Sequence, residues 1–165
     1  MVVLENRLQD FSEIKGIVED AQLNLDLINC LIGEKIGSGS FRDVFEYNLH
    51  PTKYVIKVEN NRNLYSRCNI AEQLLYEEIK GLKNELEWVK DWFAPILWVS
   101  PSGRLLVMER TEEKPNKKIP ENIPAFFSDV KWDNFGWIGN KFVCHDYGFL
   151  YKFISYSRKI QKIKW

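Results

Sequence analysis

The chain has 165 residues, with 45 % apolar, 28 % charged and 14 % aromatic side chains, a length and balance that exclude a long multidomain enzyme, a fibre and a disordered chain. Lys and Arg total 23 against 23 Asp and Glu, so the net charge is zero and no global field favours nucleic acid or an anionic membrane as partner. Cys30, Cys68 and Cys144 are odd in number and far apart, unlike a disulfide framework or the close pairs of a zinc site, and are read as reduced thiols.

Leu4, Leu8, Phe11, Ile14 and Val18 recur at helical steps and predict a short amphipathic helix within an N-terminal segment, residues 1–30. Acidic and polar residues stand there where a signal peptide needs an apolar run. No stretch reaches the roughly 18 apolar residues of a membrane span, so a cytoplasmic protein is expected. From Leu31 the period changes to alternation around a glycine-rich turn, and YVIKVE after Pro51 is a β-branched run; three strands are predicted. AEQLLYEEIKGLKNELEWV puts Leu75, Ile79, Leu82 and Leu86 on one stripe of a helix, and FAPILWV and RLLVMER flank the turn SPSGR as two more strands. The order β-β-β-α-β-β does not alternate as a parallel doubly wound sheet would. It predicts an α+β fold, an antiparallel sheet with one helix on a face.

TEEKPNKKIPENIP, with Pro115, Pro120 and Pro124, reads as a hinge or linker. The following stretch reads as a loop, a hairpin turning at Gly139-Asn140 and a second loop at Asp146. The aromatic and basic end, from Leu150, is expected to be helical. Its lysines could touch nucleic acid or a membrane, but such an end more often packs on its own domain with its lysines in water.

Three groups could do chemistry. Gly37-Ser38-Gly39-Ser40-Phe41 lies between two predicted strands, where missing β-carbons let backbone amides approach a phosphate; taken alone, such a turn is more often a plain hairpin. Lys57 in the third strand either leans into a cleft or snorkels from an edge, and Glu72, Glu77 and Glu78 lie on the helix that follows. Asp129, Asn134 and Asp146 come from two loops. An amide and a carboxylate oxygen suit Mg²⁺, which takes few protein ligands beside phosphate oxygens and water, and Asp129 could accept a hydroxyl proton. Asp- and Asn-rich loops are also simply good turns.

In order and spacing, GSGSFRDV, VIKV, a helix glutamate, DVKWDN and DYG resemble the protein-kinase signature: glycine loop, strand lysine, helix glutamate, catalytic loop and metal-binding Asp-x-Gly. The phrase IPAFFSDVKWDNFGW…VCHDYGF is similar to the small truncated kinase-like proteins of bacteriophage. The resemblance covers about residues 31–150. It implies a kinase-like N-lobe over 31–111, a five-stranded antiparallel sheet plus one helix, then a hinge and strongly reduced C-lobe over 112–165. ATP with Mg²⁺ would lie between them.

Residue by residue, the resemblance implies that Gly37, Ser38, Gly39, Ser40 and Phe41 cover the phosphates and that Lys57 binds the α and β phosphates, oriented by Glu72. Glu109 to Thr111 would face the adenine, with Val44 and Val55 packed around it. Asp129 would be the base or orient the hydroxyl, Lys131 would clamp the transferred phosphoryl, and Asn134 and Asp146 would hold the metal.

The sequence also departs from the kinase pattern. Arg42 replaces the third glycine, Phe127 stands where kinases commonly place a histidine, His145 precedes Asp146, and Tyr147 replaces a phenylalanine. Only residues 112–128 separate the hinge from Asp129, and little chain follows Asp146, so most of the large lobe and its peptide platform are missing. The implied activity is phosphoryl transfer from ATP to a small or unusual hydroxyl acceptor, in the host cytoplasm if phage-encoded. The alternatives are a partner protein or second copy that completes the lobe, and a non-catalytic kinase-like module that binds and modulates a partner protein. Trp132, Phe135 and Trp137 would be covered internally or across such an interface.

Overall fold

The computed structural model describes residues 30–60, 67–114, 116–148, 150 and 158–163; the expected helix over 4–20 lies outside them. Among the described residues, those up to Asn69 together with Ile96–Glu109 form one compact unit, and Ile70–Pro95 with the residues from Arg110 onward form a second. The division falls between Glu109 and Arg110, just before the proline-rich segment.

The fold is α+β with a five-stranded antiparallel sheet. The alternating and β-branched runs form β1 (Ile32–Ser38), β2 (Arg42–Tyr47), β3 (Tyr54–Glu59), β4 (Ile96–Val99) and β5 (Leu105–Glu109), in the order β1-β2-β3-β5-β4. Between β4 and β5 the chain reverses at Gly103, whose φ of 74° lies in the left-handed region that glycine adopts without a β-carbon clash. Cross-strand partners share a face of the sheet. Tyr47, Tyr54, Ile56 and Val107, with Leu31, bury one face as the core of this unit. The opposite face carries the rung Val44, Lys57, Leu106 and next to it Glu46, Val55, Met108.

The stripe over residues 71–89 predicts one continuous helix, and here the structure differs. Helix α1 spans Cys68–Gly81, and a separate 3-10 helix spans Asn84–Trp92. Gly81 has weak helix propensity, and Asn84 takes a φ of 55°, which breaks the i to i−4 ladder. Leu75 and Ile79 are buried accordingly, whereas Leu82 and Leu86 are only half-buried. At its other end α1 starts earlier than the stripe suggests, because the Glu59 carboxylate accepts the Asn69 N–H at 2.7 Å and satisfies a first-turn donor.

In the second unit the predicted hairpin forms as β7 (Phe135–Ile138) and β8 (Lys141–Cys144), with Gly139 at φ 56° in the turn. Two expectations are corrected. The proline-rich segment is more than a linker, since its Asn122–Pro124 is a strand, β6, and the basic end is not helical where it is described, since Ile160–Lys162 is its antiparallel partner, β9. Pro124 lacks an N–H to donate, which a short two-stranded ladder tolerates, and Ala125 and Ile163 extend the pairing by bonding to Lys159 and Glu121 carbonyls. Lys117 lies 4.0 Å over the Trp137 ring and Glu112 bridges to Trp137, so the start of the segment is also fastened to the hairpin.

Aromatic rings fill this unit. Phe93 meets Tyr147 edge-on at 5.1 Å, Phe127 meets Phe135 edge-on at 5.2 Å, and Phe135 stacks on Phe142 at 5.5 Å. Such pairs add about 0.5–1.5 kcal/mol each beyond their buried area. Phe135 and Trp137 are thus covered internally, while Trp132 remains 43 % exposed. None of the three cysteines is in a disulfide, and no helix among the described residues is long and apolar enough to cross a membrane.

Gly136 marks a close approach. A β-carbon there would stand 2.6 Å from Thr111 Cβ and 2.7 Å from its hydroxyl. Gly136→Ala is expected to lower unfolding free energy by about 1–3 kcal/mol, read as a lower midpoint in urea at unchanged slope.

Candidate functional site

In the first unit the glycine-rich turn is pinned at both ends. Ser38 donates its hydroxyl to Asp43 at 2.6 Å, Gly39 N–H bonds to the Arg42 carbonyl at 2.8 Å, and Asn60 N–H bonds to the Phe41 carbonyl at 2.8 Å. Among the described glycines only Gly103 and Gly139 have positive φ, and β-carbons on Gly37 and Gly39 would find nothing nearer than 3.5 Å. Neither backbone conformation nor internal packing therefore demands glycine at 37 or 39. What glycine provides there is bare backbone beside Ser38, Ser40 and Phe41.

Lys57 is 3 % exposed on the strand between β2 and β5, so the solvated-edge reading does not hold. A buried ammonium is costly unless compensated, which makes this position chemically demanding. Val44 and Val55 share its face, as the register shows. So do Leu106 and Met108, both fully buried, which sequence reasoning missed: the run LLVM is apolar at every position and hides which residues face Lys57. Arg42, in the third-glycine position, is buried and donates to Asn69 Oδ1 at 3.3 Å. The Asn69 amide nitrogen bonds in turn to the carbonyls of Lys57, Gly103 and Arg104 at 3.3, 3.0 and 3.2 Å. Asn69 thus ties the backbone of the lysine strand to the start of α1. Glu109 ends β5 opposite Tyr54, on the core face.

In the second unit the helix glutamate meets the loop after Asp146. Glu72 is wholly buried, and its Oε1 accepts the N–H of Tyr147 at 2.8 Å and of Gly148 at 3.1 Å, the two residues after Asp146. Glu77 and Glu78 are exposed, and Glu77 pairs with Lys80 at 2.9 Å, which separates them from Glu72. Tyr147 is anchored by its ring on Phe93 and by its hydroxyl on the Ala94 carbonyl at 2.9 Å. Phe127, where a histidine would be the kinase choice, is a buried apolar anchor among Trp92, Phe93 and Phe135.

The Asp129 carboxylate accepts from Lys131 Nζ at 2.8 Å and from the Asn134 amide nitrogen at 3.2 Å; that nitrogen also bonds to the Asp129 carbonyl at 2.9 Å. The hydrogen bond Lys131 donates to Asp129, and then the Asp129 charge, raise the Lys131 ammonium above its ordinary pKa, with Asp146 adding in the same direction. Lys131 is an exposed cation that stays protonated through neutral pH.

Asn134 immediately precedes β7 and Asp146 follows β8 by one residue, so both stand at the open end of the hairpin, where His145 N–H bonds to the Asn134 carbonyl at 2.8 Å. Because Asn134 commits its amide nitrogen to Asp129, its oxygen is the atom it can offer a cation. With the Asp146 carboxylate this makes a pair of hard oxygen donors, a set that suits Mg²⁺ completed by phosphate oxygens. Among the described residues no three His, Cys, Asp or Glu side chains cluster as an all-protein metal cage. Thr111, at the end of the segment assigned above to the adenine, joins its hydroxyl to His145 Nδ1 at 2.8 Å. No protein-family model, curated protein or solved structure matches the chain.

Proposed function

We propose that the protein is a phosphotransferase of minimal kinase fold. More particularly, it is read as a kinase-like protein of the truncated bacteriophage type that transfers the γ-phosphoryl of ATP to a hydroxyl acceptor. The observation that carries this reading is the joining of Asp129, Lys131 and Asn134 through one carboxylate. The base, the cation and the metal ligand that the resemblance assigns within the one motif DVKWDN share hydrogen bonds. The buried Glu72 gripping the backbone after Asp146, and glycines at 37 and 39 that the turn itself does not require, support it independently.

In this reading the amides of the Ser38–Phe41 turn and the Lys57 ammonium bind the phosphates, while Val44 and Val55 offer apolar contact for the base. Asn134 and Asp146 would hold Mg²⁺, which would supply charge neutralisation on the phosphate oxygens. Asp129 orients the acceptor hydroxyl and takes its proton as the oxygen bonds to the γ-phosphorus and the bond to the β–γ bridging oxygen breaks, leaving ADP. Lys131 meets the negative charge on the transferred group. The protein supplies positioning and charge, with no covalent step of its own.

The test is labelled ATP and Mg²⁺ with the purified protein, offering the protein itself, a protein extract and a metabolite pool as acceptors. Wild type is expected to transfer label, and Lys57→Met and Asp146→Asn to lose at least about a hundredfold in rate. ATP bound more tightly with Mg²⁺ but never transferred would replace this reading with the non-catalytic, partner-modulating one. Unbound ATP would overturn both nucleotide readings.

A further inference from the structure

We infer that His145 is a positioning residue that fixes the two metal-donor residues, Asn134 and Asp146, relative to one another; this rests on the phosphotransferase reading. The imidazole is held at both nitrogens. Nε2 lies 2.8 Å from the Asp133 carbonyl oxygen, which can only accept, so Nε2 bears the proton. Nδ1 then accepts from the Thr111 hydroxyl at 2.8 Å. The backbone N–H of the same residue bonds to the Asn134 carbonyl at 2.8 Å.

One residue therefore grips Asp133 by its ring and Asn134 by its backbone, immediately before Asp146 in the chain. Thr111, the ring's other anchor, is wedged against Gly136 of β7, where no β-carbon fits. The ring cannot swing away without losing both side-chain bonds. Neighbours that orient ligands without touching the metal commonly change metal affinity by 10–100-fold when removed. A histidine serving only to fill space beside the hairpin would not couple to metal in this way.

The experiment measures Mn²⁺ binding by loss of the free-ion electron paramagnetic resonance signal, with a non-hydrolysable ATP analogue, in wild type, His145→Phe, His145→Gln, Thr111→Val and Asp146→Asn. Nucleotide affinity without metal and the thermal midpoint are measured alongside. Glutamine places an amide N–H near the position of Nε2 and keeps the bond to Asp133; phenylalanine keeps only the ring's bulk. His145→Phe is expected to weaken Mn²⁺ binding about tenfold or more with metal-free nucleotide affinity unchanged, His145→Gln to recover most of it, and Thr111→Val to fall between.

A folded His145→Phe that binds Mn²⁺ as wild type overturns the inference while leaving the phosphotransferase reading intact, provided Asp146→Asn is impaired. If His145→Phe fails to fold, equal Mn²⁺ affinity in Thr111→Val and wild type overturns it instead. Wild type and Asp146→Asn binding Mn²⁺ alike, or not at all, overturns the reading beneath it and this inference together.

Discussion

Glu72→Ala is expected to be the most destabilising single substitution in the second unit. Its carboxyl oxygen satisfies two buried backbone donors, Tyr147 N–H and Gly148 N–H, and the side chain is itself fully buried. Alanine would strand both donors, at about 1–3 kcal/mol each, and leave a void where the side chain was. Urea denaturation should show a loss of about 2–6 kcal/mol. Glu72→Gln retains an oxygen that can accept both bonds, so it is expected to cost less than half as much. Equal losses for the two variants would mean that charge, and not acceptance of those bonds, governs the position; no loss for Glu72→Ala would mean that the bonds are not made.

Glu72 shows how far the sequence could be read. Its place in an element order that includes Asp-Tyr-Gly singled it out, and the burial of Glu72 against the exposure of Glu77 and Glu78 follows from the helix period that also buries Leu75 and Ile79. The five strands and the hairpin at Gly139-Asn140 were legible for the same reason, since period-2 runs bounded by Gly, Pro and Ser leave few alternatives.

What was illegible depends on partners remote in sequence. Nothing local distinguishes Ile160–Lys162 as a strand; it becomes one because Asn122–Pro124, far upstream, offers an edge. The break after Gly81 escaped a periodicity argument because Leu82 and Leu86 keep the helical spacing while the backbone does not. His145 escaped too, since a histidine preceding Asp146 carries no motif, and its meaning comes only from Thr111 and the Asp133 carbonyl meeting its two nitrogens. The charge pairing of Lys131 was likewise unreadable, because a lysine two residues from an aspartate in a loop may point anywhere until the Asn134 amide fixes the loop's shape.

Asp129→Asn separates chemistry from architecture most cleanly. The Asp129 side chain is 45 % exposed and its Lys131 partner 67 % exposed, so the ion pair stands in water and its loss should leave stability close to that of wild type. The amide keeps the carboxylate's shape and an oxygen for the Asn134 bond but has no useful basicity, and it withdraws the charge that holds the Lys131 ammonium above its usual pKa. Under the proposed function the turnover number should fall by about 10²–10⁴, the usual contribution of a general base, while the affinity for the magnesium–nucleotide complex changes only a few-fold. A single-turnover measurement with saturating ATP reads the first and calorimetric titration the second. A fall in both by the same factor would assign Asp129 to ligand binding, and transfer at the wild-type rate would remove it from the reaction altogether.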